Sequence, residues 1–197
     1  MRIGIDFDNT IVSYDDLFRK IAIEQQLGPE SLPISKTEVR DYLRKTGKED
    51  AWTAMQGAVY GRRMAEAKPF PGVLDFIKVC HEAAIPVYIA SHRTRFPIAG
   101  ESFDLHAAAI DWLRSQGIQD LIPADRIYFE LTKDAKLNRI KSLNVTHFID
   151  DLPEFLSMPG FPVSTQRILF NPQNALVADP GVVSIVSWSD IRKHFKL

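Results

Sequence analysis

The chain has 197 residues, of which 45% are hydrophobic and 25% are charged, and its formal net charge is -1 at pH 7. A chain of this length and composition buries a core of its own and needs no structural metal or disulfide framework to fold. The near-neutral charge gives no long-range field for polyanions or membrane surfaces, so we expect neither nucleic acid nor a membrane as a partner. The sequence leaves the oligomeric state open.

Cysteine usage and the apolar runs indicate the compartment. The single Cys80 cannot form an internal disulfide, and it lies in an apolar helical pattern, which favours a buried core thiol over a nucleophile. Asp6 and Asp8 interrupt the first apolar run, and no later run approaches the roughly 20 residues that a membrane helix requires. We therefore expect a protein of the reducing cytoplasm.

The first predicted element is a short strand that ends in two carboxylates. Residues 3–12 read Ile-Gly-Ile-Asp-Phe-Asp-Asn-Thr-Ile-Val, and the spacing of Asp6 and Asp8 aims both side chains toward the same side of an extended backbone. Two like charges held close together repel each other and raise one pKa, unless a cation neutralises them or one carboxyl carries a proton for chemistry. The alternative is that both residues only cap the turn or helix that follows.

A helical block comes next. Residues 13–68 have a helical period and no strand signal, and the first two of three predicted helices begin with capping-box patterns, Ser13 with Asp16 and Ser35 with Glu38. Because the block begins and ends beside the first strand, we predict a small all-helical cap that closes over the two carboxylates. The alternative is a fixed block whose apolar faces pack only on each other.

From Pro69 onward the chain alternates apolar strands with amphipathic helices. The predicted strands are Val87–Ala90, Ile127–Phe129, Thr146–Ile149, Ile168–Phe170 and Val182–Val186. Such alternation predicts an α/β fold, a Rossmann-like parallel sheet covered by helices on both faces. Residues 1–12 and 69–197 would form this core domain, and residues 13–68 would form the cap.

Chemically reactive side chains fall at the ends of several predicted strands. At the carboxyl edge of the sheet, where ligands bind in open α/β folds, the pattern places Asp6, Asp8, Ser91, Asp150 and Asp151. Oxygen ligands without paired His or Cys suit a hard cation such as Mg²⁺, and a phosphate ester is the natural substrate beside it. A lysine near the start of the helix after the third strand, Lys136 or Lys133, could balance the charge.

These residues resemble the four ordered motifs of the haloacid dehalogenase (HAD) superfamily. The motifs are Asp6-Phe7-Asp8-Asn9-Thr10, Ser91 after an apolar strand, Lys136, and Asp150-Asp151 after another strand. The resemblance implies that Asp6 is the nucleophile and Asp8 the general acid and base, and that Ser91 and Lys136 hold the transferring phosphoryl group. It also implies a Mg²⁺ held by Asp150, the Asp6 carboxylate and the Asp8 backbone carbonyl.

The resemblance narrows the reaction but leaves several assignments open. Asp8 favours phosphoryl chemistry, since a dehalogenase of this superfamily lacks the second aspartate. Asn9 replaces a glycine that is common at that place, and we count it with Ser91, His92 and Arg93 as a candidate substrate contact, Arg93 toward a phosphate or carboxylate. Asp151 could be a direct metal ligand or a neighbour that orients one.

The function predicted from the sequence is Mg²⁺-dependent hydrolysis of a small phosphorylated metabolite, a phosphomonoester, through an aspartyl-phosphate intermediate. Two alternatives remain at this point. One is a phosphotransferase or phosphomutase of the same chemistry. The other is a non-catalytic phosphate-binding or interaction module on the same fold, because a fold does not fix a function.

Overall fold

Apolar runs of the sequence form a parallel sheet. The computed structural model describes residues 1–197 and contains eight strands: β1 (Ile3–Ile5), β2 (Val12–Ser13), β3 (Lys68–Pro69), β4 (Val87–His92), β5 (Ile127–Glu130), β6 (His147–Asp150), β7 (Gln166–Phe170) and β8 (Val182–Ile185). Six of them form one sheet in the order β5-β4-β1-β6-β7-β8, and each neighbouring pair is parallel. The predicted α/β fold with a parallel sheet is confirmed.

The chain also contains eight α-helices. They are α1 (Asp15–Glu24), α2 (Lys36–Lys45), α3 (Glu49–Tyr60), α4 (Val73–Glu82), α5 (Leu105–Ser115), α6 (Lys133–Leu143), α7 (Pro153–Leu156) and α8 (Trp188–His194). None of these helices combines the length and the apolar composition that crossing a lipid bilayer requires.

The sheet is buried on both faces, as the continuous apolar strands predict. On one face α6 and α7 pack Ile140 and Phe155 into a cluster with Phe148 of β6. Phe148 approaches β1 so closely that a Cβ at Gly4 would lie 2.5 Å from its ring, which explains a glycine in the middle of that strand. On the other face α4 and α8 place the rings of Phe76 and Trp188 5.2 Å apart.

The capping-box predictions have different outcomes at the two helices. Ser35 is the N-cap of α2, and its Oγ accepts a hydrogen bond from the Glu38 backbone N–H at 3.3 Å, as predicted. The prediction for Ser13 is wrong, because Ser13 lies in β2 and the N-cap of α1 is Tyr14, which makes no side-chain cap. Ser13, which the capping pattern had assigned to the start of the helix, belongs instead to the short β2–β3 strand pair.

The chain divides into two compact units. One contains residues 1–12, 69–93 and 116–197, and the other contains residues 13–68 and 94–115. Within the second unit, Trp112 of α5 donates a hydrogen bond from Nε1 to the Ala67 carbonyl at 2.9 Å. The sequence analysis had placed 94–115 in the α/β domain, because periodicity shows that α5 has an apolar face but not which element covers that face.

Candidate active site at the carboxyl edge of the sheet

Asp6 and Asp8 follow β1 on a tight turn. The Asp6 backbone N–H donates to the Ile149 carbonyl of β6 at 2.8 Å, so the strand pairing continues to this residue, and the Asp6 side chain is buried. The turn is closed by the Ile11 N–H, which donates to the Phe7 carbonyl at 3.0 Å. Within it Asn9 has a φ of 56°, in the left-handed region that glycine and asparagine tolerate best. That conformation explains how Asn9 can stand where the resembled family often has glycine.

Lys136 joins the first and last predicted motifs. Its Nζ lies 2.5 Å from Asp6 Oδ1 and 2.6 Å from Asp150 Oδ2, and all three side chains are buried. The local sequence sets this position, since Thr132 caps α6 by accepting a hydrogen bond from the Ala135 N–H at 3.1 Å, and Lys136 follows one turn into the helix. Lys133 instead is 42% exposed and lies 3.6 Å from Glu154. The structure therefore brings Lys136, and not Lys133, to the carboxylates.

Three carboxylates converge where β1 and β6 end. Asp6, Asp150 and Asp151 each offer an oxygen, and these oxygens lie within 4.8 Å of one another. Asp150 is oriented by its own turn, because its Oδ1 accepts a hydrogen bond from the Leu152 N–H at 3.0 Å. An all-oxygen set of this size fits a hard divalent cation such as Mg²⁺. The cluster contains Asp151, whose role as a direct metal ligand the sequence analysis left open. It does not contain the carboxylate of Asp8, for which the resemblance implied only a backbone contact to the metal.

The buried charges perturb one another. Burial raises the pKa of Asp6 to about 7, and the neighbouring carboxylates of Asp150 and Asp8 add to the rise while Lys136 opposes it. For Lys136, burial acts to lower the pKa of the ammonium, but the carboxylates of Asp150 and Asp6 outweigh burial and raise it. Lys136 therefore stays protonated, and below about pH 7 Asp6 holds a proton that added positive charge would displace.

Two hydroxyls near the ends of these strands are buried without a hydrogen-bond partner. They belong to Ser91, in β4, and to Thr10. An unsatisfied buried hydroxyl costs about 1–3 kcal/mol, so its retention favours a partner that arrives with a ligand. Ser91 was predicted as a phosphoryl contact. Thr10 was not singled out as a site residue, although it belongs to the same Asp-x-Asp-x-Thr run.

His92 and Arg93 follow Ser91 and differ in environment. Arg93 is buried, and its Nη1 lies 2.5 Å from Asp8 Oδ1. The sequence analysis expected Arg93 to contact the substrate, whereas the structure pairs it with a carboxylate of the chain. His92 is half-buried, and burial lowers the pKa of its imidazole, although its hydrogen bond to the Leu131 backbone acts in the opposite direction. The neutral ring is the form that prevails at pH 7.

Solved structures resemble this chain over nearly its whole length. One is the HAD-hydrolase YfnB from Bacillus subtilis bound to magnesium, with a TM-score of 0.62 at 14% identity. The match covers 100% of this chain and 98% of the YfnB chain. A HAD family hydrolase from Deinococcus radiodurans, with bound phosphate and sodium, has a TM-score of 0.62 at 13% identity, with 98% and 94% covered. A predicted phosphoglycolate phosphatase from Haemophilus somnus has a TM-score of 0.60 at 13% identity, with 98% and 97% covered.

The agreement is one of structure and not of sequence. No protein-family model matches the chain. No curated protein matches it either. The six-stranded parallel sheet and the coverage of these neighbours show that the chain has the fold of the HAD-superfamily hydrolases.

Proposed function

We propose that the protein is a hydrolase that transfers the phosphoryl group of a small phosphomonoester to water through Asp6. The observation that carries the proposal is the buried bridge of Lys136 to Asp6 and Asp150 at the carboxyl edge of the sheet. A structural ion pair needs one carboxylate, whereas this ammonium contacts two, and an oxygen of a third carboxylate, Asp151, lies within 4.8 Å of theirs. Such a concentration of buried charge is costly to the fold, and perturbed charges of this kind cluster at functional sites.

Each side chain has a role that its position supports. The ionised Asp6 attacks phosphorus, so that a carboxylate O–P bond forms as the ester P–O bond breaks. Lys136 and the unpartnered Ser91 hydroxyl donate hydrogen bonds to the phosphoryl oxygens, where negative charge develops. Mg²⁺, held by Asp6, Asp150 and Asp151, would supply the positive charge that keeps Asp6 ionised and neutralises those oxygens.

Asp8 moves the protons of the two steps. In the first step its carboxyl gives a proton to the leaving alkoxide, and in the second its carboxylate takes a proton from the attacking water. The water oxygen then bonds to phosphorus, the bond to Asp6 breaks, and inorganic phosphate leaves. The two neighbouring structures with bound phosphate and with bound magnesium support this chemistry for the fold, and the substrate class is our proposal for this chain.

The test is turnover of an aryl phosphate with and without Mg²⁺, followed by a panel of small phosphorylated metabolites. We expect Mg²⁺-dependent release of phosphate, and we expect Asp6→Asn to abolish it without unfolding the protein, because an amide is nearly the same shape but is not nucleophilic. Asp75→Asn, an exposed aspartate at the start of α4, is the matched control and should leave turnover unchanged.

Other outcomes point to the alternatives. A folded wild-type protein that binds phosphate but turns over no substrate with Mg²⁺ is a binding module. Transfer of labelled phosphate to an added alcohol in preference to water identifies a phosphotransferase. Retention of more than a few per cent of turnover by Asp6→Asn removes Asp6 as the nucleophile.

A further inference from the structure

Arg93 makes a close contact with a carboxylate of the chain, at a place where the sequence suggested a substrate contact. Its Nη1 lies 2.5 Å from Asp8 Oδ1, and only 3% of the Arg93 side chain and 22% of the Asp8 side chain is exposed. A charge-assisted hydrogen bond of this length, largely out of water, fixes the geometry of both groups.

Neighbouring elements hold Arg93 in place. Its backbone N–H donates to the Glu130 carbonyl at 2.8 Å, where β4 and β5 end side by side. Its guanidinium carbon lies 5.6 Å from the centre of the Phe7 ring, and Phe7 in turn meets Phe129 edge-on with ring centres 5.3 Å apart. The backbone of Arg93 is therefore fixed at a strand end, and swinging the guanidinium out to meet a ligand would break its contacts with the Phe7 ring and Asp8.

We propose that Arg93 is a positioning residue for Asp8: it holds Oδ1, so that the other carboxylate oxygen exchanges protons with the leaving group and with water. The inference rests on the proposed phosphomonoester hydrolysis. It replaces the expected role of Arg93 as a substrate contact, since the guanidinium is already engaged with the chain's own carboxylate.

The physical argument concerns orientation. Asp8 lies on the turn after β1, and its ion pair with Arg93 sets which way Oδ1 faces. A general acid or base must come within about 2.6–3.2 Å of the atom that gains or loses the proton. Misplacing such a group by about 1 Å can lower the rate about 10²-fold. A residue that fixes the Asp8 rotamer should therefore have a measurable effect on the reaction rate. Substrate binding does not depend on that rotamer, and the loss should fall on kcat and not on KM.

The experiment compares Arg93→Ala and Arg93→Lys with wild type on two substrates, an alkyl phosphate and an aryl phosphate. For Arg93→Ala we expect kcat on the alkyl phosphate to fall about 10²-fold with KM changed less than about twofold. The fall in kcat/KM, which reports the step that expels the leaving group, should be smaller for the aryl phosphate, whose better leaving group needs less help from a proton. Lysine keeps the charge but not the planar fork, so Arg93→Lys should recover part of the loss. Added guanidinium at low concentration should do the same for Arg93→Ala.

The matched control is Arg139→Ala. Arg139 lies on α6 and pairs with Glu130 at 2.7 Å, so this change also removes an arginine–carboxylate pair next to the same strand end but leaves Asp8 untouched. We expect kcat and KM close to those of wild type. A second test combines Arg93→Ala with Asp8→Asn. If Arg93 acts through Asp8, its loss costs nothing further in that background.

Several results would overturn the inference. They are a rise in KM with kcat preserved, an equal loss of kcat/KM on both substrates, or an additive loss in the double variant. Each of these results makes Arg93 a substrate contact or a purely structural residue. If Arg93→Ala does not fold, the same kinetic comparisons are made with Arg93→Lys and with the double variant of Arg93→Lys and Asp8→Asn.

A failure of the proposed function is distinguishable from a failure of this inference. A wild-type protein without turnover on any phosphate removes the reaction that Arg93 would serve and so overturns the positioning role. In that case the melting temperatures of the single and double variants still report whether the Arg93–Asp8 pair exists. Turnover by wild type combined with unchanged kinetics in Arg93→Ala overturns the inference alone.

Discussion

Replacing Lys136 with methionine is the sharpest perturbation that the structure offers. The change keeps the length and the apolar part of the side chain, which lies against the Phe155 ring with Nζ 4.1 Å from the ring centre. It removes the ammonium that lies 2.5 Å from Asp6 Oδ1 and 2.6 Å from Asp150 Oδ2, and so leaves two buried carboxylates with less compensation. Removing one partner of a buried ion pair costs about 3–5 kcal/mol. For a domain of this size each kcal/mol lowers the melting temperature by about 2–4 °C, which gives a loss of about 6–20 °C.

The assay is thermal unfolding followed by circular dichroism in the presence of a chelator, at pH 8 and at pH 5. The loss should be larger at pH 8, because at pH 5 the freed carboxyls can take up protons and the buried charge is reduced. Turnover with Mg²⁺ should fall about 10²–10³-fold, as expected for the loss of a preorganised donor to the phosphoryl oxygens. Lys133→Met, on the same helix but exposed and 3.6 Å from Glu154, should cost less than about 1 kcal/mol and little activity.

Two results would contradict the role given to Lys136: a small change in melting temperature in Lys136→Met, or a larger loss of activity in Lys133→Met. If Lys136→Met melts within about 2 °C of wild type at pH 8, the Asp6–Lys136–Asp150 bridge does not carry the charge balance described above. If Lys133→Met loses more activity than Lys136→Met, the phosphate-binding lysine is Lys133.

Three further predictions follow from other parts of the molecule. Ser91→Ala should raise the unfolding free energy by about 1 kcal/mol, because it removes a buried hydroxyl that has no partner, and it should slow turnover. The control is Ser164→Ala at an exposed serine, and a Ser91→Ala variant less stable than wild type would contradict the prediction. We propose that the unit of residues 13–68 and 94–115 acts as a cap. Hydrogen exchange in α1–α3 should then slow when a phosphate-mimicking anion binds, and unchanged exchange would exclude a closing cap. Finally, the stabilisation of the protein by Mg²⁺ should grow as the pH rises toward 7 and then level off, which differential scanning calorimetry at a fixed Mg²⁺ concentration measures.

The sequence predicted the sheet and its edge well, for identifiable physical reasons. Buried parallel strands read as unbroken apolar runs, so the end of β1 was visible where Ile5 gives way to an aspartate, and the end of β6 was predicted at Ile149, one residue before its end at Asp150. Lys136 could be preferred to Lys133 because it opens the apolar period of α6, and a helix directs residues of one period toward one side. Both inferences need only the local repeat of the chain.

What the sequence could not supply is the choice of partner. The residue type of Arg93 says that it meets a carboxylate or a phosphate, but only the register of β4 against β5 and the turn after β1 decide that the partner is Asp8. In the same way, the apolar face of α5 does not reveal that Trp112 bonds to the Ala67 carbonyl. Contacts across many residues of sequence depend on the assembled fold, and a single sequence carries no record of them.

The pH dependence of cation binding follows from the balance of charge around Asp6. In the metal-free protein burial raises the Asp6 pKa to about 7, whereas an unfolded chain has an ordinary aspartate value near 3.9. Between about pH 4 and pH 7 the folded chain therefore holds a proton that the unfolded chain has lost, and the contribution of this group to stability decreases as the pH rises through that window. A divalent cation binds the ionised carboxylate, so below pH 7 its binding must displace this proton and weakens by up to about tenfold per pH unit. Above pH 7 there is no proton to displace, and the stabilisation should become constant. Asp6→Asn has no proton to lose at this position, so the slope should disappear in that variant. A stabilisation by Mg²⁺ that is independent of pH between 5.5 and 7 in the wild-type protein, or an equal slope in Asp6→Asn, would show that Asp6 does not hold the cation.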